Sequence, residues 1–162
     1  MLYGEQCWSV NGKDVTEDAE NVKAKDGFGV QLWLIKPNDF FEKWNTPETP
    51  KMAVTKTAKR NIPISTVILF INPGVNEKNE CDVVYDMVIK RPDGGVYSDL
   101  KDVEAWCNKP PPPKNQIQLA VQNIGIDIED KDPLGEYTVD AIVKDKIKKV
   151  ELSLHQEFVA EG

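Results

Sequence analysis

The chain has 162 residues, 40% apolar and 29% charged, with a net charge of −7. That is ordinary globular composition, long enough for one domain to bury a core without metals or many disulfides. The acidic balance argues against nucleic acid and anionic membrane surfaces, which need clustered Lys and Arg. No apolar run approaches the roughly 18 residues of a membrane span, so no membrane insertion is expected.

Residues 1–26 are polar and irregular, with a turn signal at Asn11-Gly12 and an acidic cluster of Glu17, Asp18 and Glu20. They read as an N-terminal arm or a loosely packed edge. The first residues lack the basic and apolar regions of a signal peptide. The protein is therefore cytoplasmic, or the chain is the mature form of an exported one. Residues 27–162 form the domain proper. GFGVQLWLIK alternates, with Phe28, Val30, Leu32 and Leu34 on one face, and predicts a strand. Trp33 and Ile35 on its other face require cover there too.

PNDFFEKWN predicts a two-turn amphipathic helix, capped by Asn38 or Asp39, with Phe40, Phe41 and Trp44 at i, i+1 and i+4. MAVTKTAKR reads as an exposed strand, and IPISTVILFIN as a buried one ended by Asn72-Pro73-Gly74. CDVVYDMVIK alternates clearly, and RPDGG after it is a turn. Val96 to Cys107 reads as a strand plus a short helical turn around Leu100 to Trp106. Pro110–Pro113 cannot pair inside a sheet. It is a stiff crossover between two sheets, with a PxxP ligand segment as the sharper alternative.

In Gln116 to Glu129 the apolar parity slips, from Ile117, Leu119 and Val121 to Ile124, Ile126 and Ile128. One extra residue near Gln122-Asn123 implies a bulge or a switch between sheets. Tyr137, Val139, Ala141 and Val143 form the next strand. Val150, Leu152, Leu154 and Phe158 line the last, with Glu151, Ser153, His155 and Glu157 on its polar face. At least six strands with short turns, and no helical crossovers, predict an all-β, antiparallel β-sandwich with one short helix.

Within that frame Asp132-x-x-Gly135-x-Tyr137-x-Val139 resembles the tyrosine corner of immunoglobulin-like domains, in which the Tyr hydroxyl bonds back to the chain just upstream. Asp132 and Gly135 shape the turn. Val139 stands where antibody domains carry a cysteine, so the resemblance points to cysteine-poor relatives: fibronectin III, macroglobulin-type and bacterial Ig-like domains. YDMVIKRPDGGVY also looks like the middle hairpin of macroglobulin-type domains. The closing strand-turn-strand is similar to bacterial exported proteins. The resemblance covers roughly residues 52–160. It implies a non-catalytic module, periplasmic or secreted, for binding another protein or building an envelope assembly.

The residues offer few sites. His155 is the sole histidine, and on a polar strand face it has no nucleophile placed beside it, so no enzyme is expected. No zinc spacing and no phosphate loop occur, and no cofactor is expected. Cys81 and Cys107 can form a disulfide, worth about 3 kcal/mol, or remain buried thiols with Cys7. Asp127, Glu129, Asp130 and Asp132 could hold Ca²⁺ at a sheet end, which makes a small-ligand or Ca²⁺-binding sandwich the alternative function. Asp132 has the competing task of holding its own turn. Phe40, Phe41, Trp44 and Trp106 are the aromatic candidates for a protein interface, although the helix can equally plug one end of the sandwich. Trp8 is a further exposed-anchor candidate.

Overall fold

The computed structural model describes residues 8–10, 13–15, 18–48 and 50–162. Their order is β1 (Trp8–Val10), β2 (Lys13–Val15), β3 (Asp18–Ala19), β4 (Val22–Lys25), β5 (Phe28–Ile35), α1 (Phe40–Lys43), β6 (Thr57–Lys59), β7 (Ile64–Ile71), β8 (Cys81–Lys90), β9 (Val96–Lys109), β10 (Gln118–Leu119), β11 (Gly125–Ile126), β12 (Gly135–Asp145) and β13 (Val150–Glu161). Among the described residues the chain is all-β apart from α1. One sheet runs β10–β7–β5–β4–β3, with β11 also on β7; the second runs β6–β13–β12–β8–β9. β1 and β2 pair separately. Among the described residues every pairing is antiparallel except β6 with β13.

The predicted alternation supplies the core. Phe28, Val30, Leu32 and Leu34 of β5 face Val83, Tyr85, Met87 and Ile89 of β8, Tyr137, Val139, Ala141 and Val143 of β12, and Leu154 and Phe158 of β13. Each Val, Leu, Ile, Met or Phe among them contributes about 1.5–3 kcal/mol relative to exposure. A second cluster, with Ile35, Phe40, Trp44, Val67, Leu69 and Ile117, covers the outer face of the first sheet. That is the cover which the two-sided apolar pattern of β5 demands.

Several expectations are corrected. The sheet begins at Asp18, not residue 27: β4 pairs with β5, and Val22 is fully buried. The exposed strand expected at 52–60 shrinks to β6 and an isolated bridge from Val54 to Ile35. The helical turn around Leu100 to Trp106 is instead part of the 14-residue strand β9. Four register irregularities against β8, with Asp102 and Asn108 at positive φ, scramble its apolar parity. The helix is one turn, not two.

The parity slip before β11 has the expected cause. Ala120 N–H still bonds Ile68 O of the first sheet, but Val121 and Gln122 donate to Ala105 and Glu104 of β9 in the second. Asn123 Oδ1 then caps the Ile68 N–H left behind, at 3.2 Å. Pro110–Pro113 connects β9 to β10, and so joins the two sheets.

The turn before β12 is held from three sides. Asp132 Oδ2 accepts from Glu129 N–H at 2.9 Å. Gly135 sits at φ +126°, where a Cβ would also lie 3.0 Å from Pro92. The Tyr137 hydroxyl donates to Pro133 O at 2.8 Å, and its ring stacks on Phe158 at 5.1 Å. Tyr137→Phe removes that donor and strands a carbonyl. It should cost about 1–3 kcal/mol, read as a shift of the urea midpoint at unchanged slope; an unmoved midpoint would show that the hydroxyl contributes nothing.

Candidate functional site

Two concave regions flank the first sheet. One is apolar. After β5 the chain turns at Pro37, where Asn38 Oδ1 accepts from Phe40 N–H at 2.9 Å and Asn38 Nδ2 donates to Lys51 O at 3.0 Å. Asn38 is thus the side-chain cap of α1, and Asp39 is not. This turn points Phe40 and Trp44 inward, 0% and 2% exposed, and leaves Phe41 outside at 40%. Opposite lies the start of β7. A cleft of about 240 Å³ between them is lined by Ile35, Pro37, Phe41, Pro63, Ile64 and Gly125. An adjoining hollow of about 410 Å³ shares Lys36, Pro37 and Ile64 and adds Ile62 and Lys59. Ile62 is 51% exposed. Such a surface gains free energy by covering an apolar side chain of a partner.

Of the four aromatic candidates, only Phe41 therefore reaches this surface. Phe40 and Trp44 are packing residues, since their i, i+4 spacing puts both on the buried stripe. Trp106 lies apart and half-buried, its indole N–H on Pro110 O at 2.9 Å and its ring 5.9 Å from Phe70. The side chain of Trp8 lies outside the described residues, as do Cys7, the Asn11-Gly12 turn and Glu17. Ile62 and Pro63 were missed in the sequence because they read as the lead-in to a buried strand.

The second region is charged. His155 is half-buried on β13, with Nδ1 2.7 Å from Asp140 Oδ1 and Nε2 2.9 Å from Glu157 Oε1. It is a bridged histidine rather than the freely solvated one its strand face suggests. The cleft beside it, about 370 Å³, is also lined by Glu20, Lys56, Glu136 and Gln156. The hydrogen bonds to Asp140 and then Glu157 raise the imidazole pKa above its ordinary 6.5. The bond to His155 lowers that of Glu157, while Glu136, bonded to Glu157, is raised. For a histidine raised on folding, the stabilisation is complete below about pH 6.5 and disappears as pH climbs through the folded value. His155→Gln should therefore flatten part of the stability loss of the wild type above pH 6.5. Urea midpoints of both proteins at pH 6 and pH 8 check this, and equal pH differences in the two would refute it.

The acidic loop is not assembled for calcium. Arg60 Nη1 reaches the carbonyls of Glu129, Asp130 and Asp132 at 2.7, 2.9 and 2.9 Å. A guanidinium thus holds the backbone oxygens that a cation would need. The carboxylates turn to separate partners: Asp132 to Glu129 N–H and Arg91, Asp130 to Asn61, and Glu129 to Lys131. Asp127 contributes its carbonyl to the Tyr97 hydroxyl. Among the described residues these four do not gather at metal-ligand distances.

The Cys81–Cys107 disulfide does not form; both are free thiols. Cys107 pairs with Asp82, not Cys81, so by strand alternation the two thiols leave opposite faces of the sheet. Burial pushes both thiols up to about 11, which makes them poor nucleophiles. Alkylation of the unfolded chain without reductant should label both peptides, as read by mass spectrometry; an unlabelled pair would mean a bridge.

No protein-family model matches the chain, and no curated protein matches it. Among solved structures, a family 123 glycoside hydrolase from Clostridium perfringens, studied for glycolipid glycan hydrolysis, is similar with a TM-score of 0.47 and 12% identity. The likeness covers 84% of this chain and 27% of that one. It is too distant to bear on activity.

Proposed function

We propose that the chain is a non-catalytic, immunoglobulin-like module that binds another protein through the apolar cleft between α1 and the start of β7. The observation that carries this reading is the cleft itself, with Phe41 and Ile62 exposed on its rim and Ile35, Pro37, Pro63 and Ile64 within. Lys36 and Lys59 border it. The fitting partner is an extended segment with an aliphatic or aromatic anchor beside carboxylates.

The immunoglobulin-like reading draws support from strand order. β10 and β11, then β7 and β5, stand as strands E, B and A would, and β13, β12 and β8 as G, F and C. The Tyr137 bond to Pro133 falls where a tyrosine corner would place it. β3 and β4 lie outside that scheme, and no described strand takes the D position. The non-catalytic reading draws support from His155. Both its ring nitrogens face carboxylates, so neither is free to activate a nucleophile. A periplasmic or secreted location goes with this reading, and cell fractionation that finds the protein in the cytosol would remove it.

The test needs no known partner. Random peptides selected on the wild-type protein should carry apolar anchors with neighbouring acids. Phe41→Asp and Ile62→Asp should each weaken them by about 10-fold or more, measured by fluorescence polarisation, without moving the thermal melt. Peptides that bind both variants as tightly as the wild type would place docking elsewhere.

A further inference from the structure

The ladder between β12 and β13 sets Asp140 opposite His155. Asp140 Oδ1 lies 2.7 Å from Nδ1 and accepts a hydrogen bond from it when Nδ1 carries a proton. Nε2 is then directed away from Asp140, toward Glu157 Oε1 at 2.9 Å. The imidazolium donates to both carboxylates; once Nε2 loses its proton, its lone pair faces Glu157 Oε1, and the two atoms can share a cation in the proton's place. A carboxylate behind one ring nitrogen is how metal-binding histidines are oriented, and here the other nitrogen faces a second carboxylate, Glu157.

The remaining donor comes from the other sheet. Glu20 lies in the turn between β3 and β4, and its carbonyl accepts His155 N–H at 2.8 Å. One ligand atom from each of Glu20, His155 and Glu157 lies within 4.8 Å of the others. All three line the charged cleft, with Glu136 on the same wall. The lysine on that wall, Lys56, donates its hydrogen bond to Gln156 Oε1 at 2.8 Å, while its charge also acts on Glu157.

We propose that Glu20, His155 and Glu157 bind a divalent first-row transition-metal ion, with Glu136 available as a further oxygen ligand. One imidazole with two or three carboxylates suits zinc or its neighbours better than Ca²⁺, which takes six to eight oxygens. Bonds of about 2.0–2.2 Å to nitrogen and oxygen put ligand atoms about 3 Å apart, as His155 Nε2 and Glu157 Oε1 already are at 2.9 Å, and the exposed Glu20 carboxylate has to close in from within 4.8 Å. The ion would tie the β3–β4 turn of the first sheet to the last strand of the second. This site shares no residue with the apolar cleft and stands independently of the docking reading.

The test is titration of the chelator-stripped, full-length protein with ZnCl₂ by calorimetry, and thermal melting with Zn²⁺, Mn²⁺, Mg²⁺ and Ca²⁺. One ion per chain is expected, with a melting temperature that rises with free Zn²⁺. His155→Gln should lower zinc affinity by about 100-fold, and Glu20→Gln and Asp140→Asn by about 10-fold each. Glu20→Gln alters an exposed turn side chain, so it remains informative if the β13 variant fails to fold. No binding at millimolar Zn²⁺ would overturn the proposal. So would affinity unchanged in His155→Gln and Glu20→Gln, which would point to the thiols, or an equal response to Mg²⁺ and Ca²⁺, which would mark only an acidic surface.

Discussion

β12 lies between β8 and β13, and its ladder with β13 runs from Gly135 to Asp145 without a register break. The ladder to β8 is equally regular from Thr138 to Asp145. A one-residue slip in either would turn Tyr137, Val139, Ala141 and Val143 out of the core and bring Glu136 and Asp140 in. Burial of those four side chains therefore locks the register. The start of the strand is pinned as well, by the Tyr137 hydroxyl on Pro133 and the stack on Phe158. The polar face then follows without further choice: Asp140 must stand opposite His155, and Thr138 opposite Glu157.

The second organising feature is how β13 ends the second sheet. β6 covers only its last three residues, Val159 to Glu161, in parallel. Upstream of that, the exposed edge turns to the first sheet, with His155 N–H on Glu20 O and the Gln156 side-chain Nε2 on Leu32 O at 3.0 Å. Backbone groups at a sheet edge need partners, and here they draw the β3–β4 turn against the polar face of β13. The charged cleft results from satisfying that edge.

The apolar cleft has a different origin. β5 buries both faces, so its end must be covered on the outer side, and α1 does this with Phe40 and Trp44. A single turn of helix cannot bury three large aromatics that include adjacent residues, because neighbours along a helix point about 100° apart. Phe41 is left outside for that reason. Pro63, just before β7, keeps Ile62 out of the ladder. The exposed rim of the cleft is thus a by-product of covering the sheet, and that by-product is the surface to which the docking proposal appeals.

From the residues alone one reads the all-β class, strands over 27–36, 62–72, 81–90, 137–143 and 150–158, the proline crossover, the parity slip near Gln122 and the turn ahead of Tyr137. These are legible because each rests on local rules: two-residue periodicity, turn chemistry and the exclusion of proline from ladders. β9 was misread because its bulges break that periodicity. β4 was missed because it is a four-residue strand with one fully buried apolar side chain. The sites were less legible still. No local pattern sets Glu20 beside His155, residues 135 positions apart, or Arg60 inside the 129–132 loop. Alternation could have placed Cys81 and Cys107 on opposite faces only if the register shifts of β9 were known. The sequence determined which residues alternate and where the chain must turn; the tertiary structure decided which edges meet, because edge pairing depends on backbone groups that every residue carries alike.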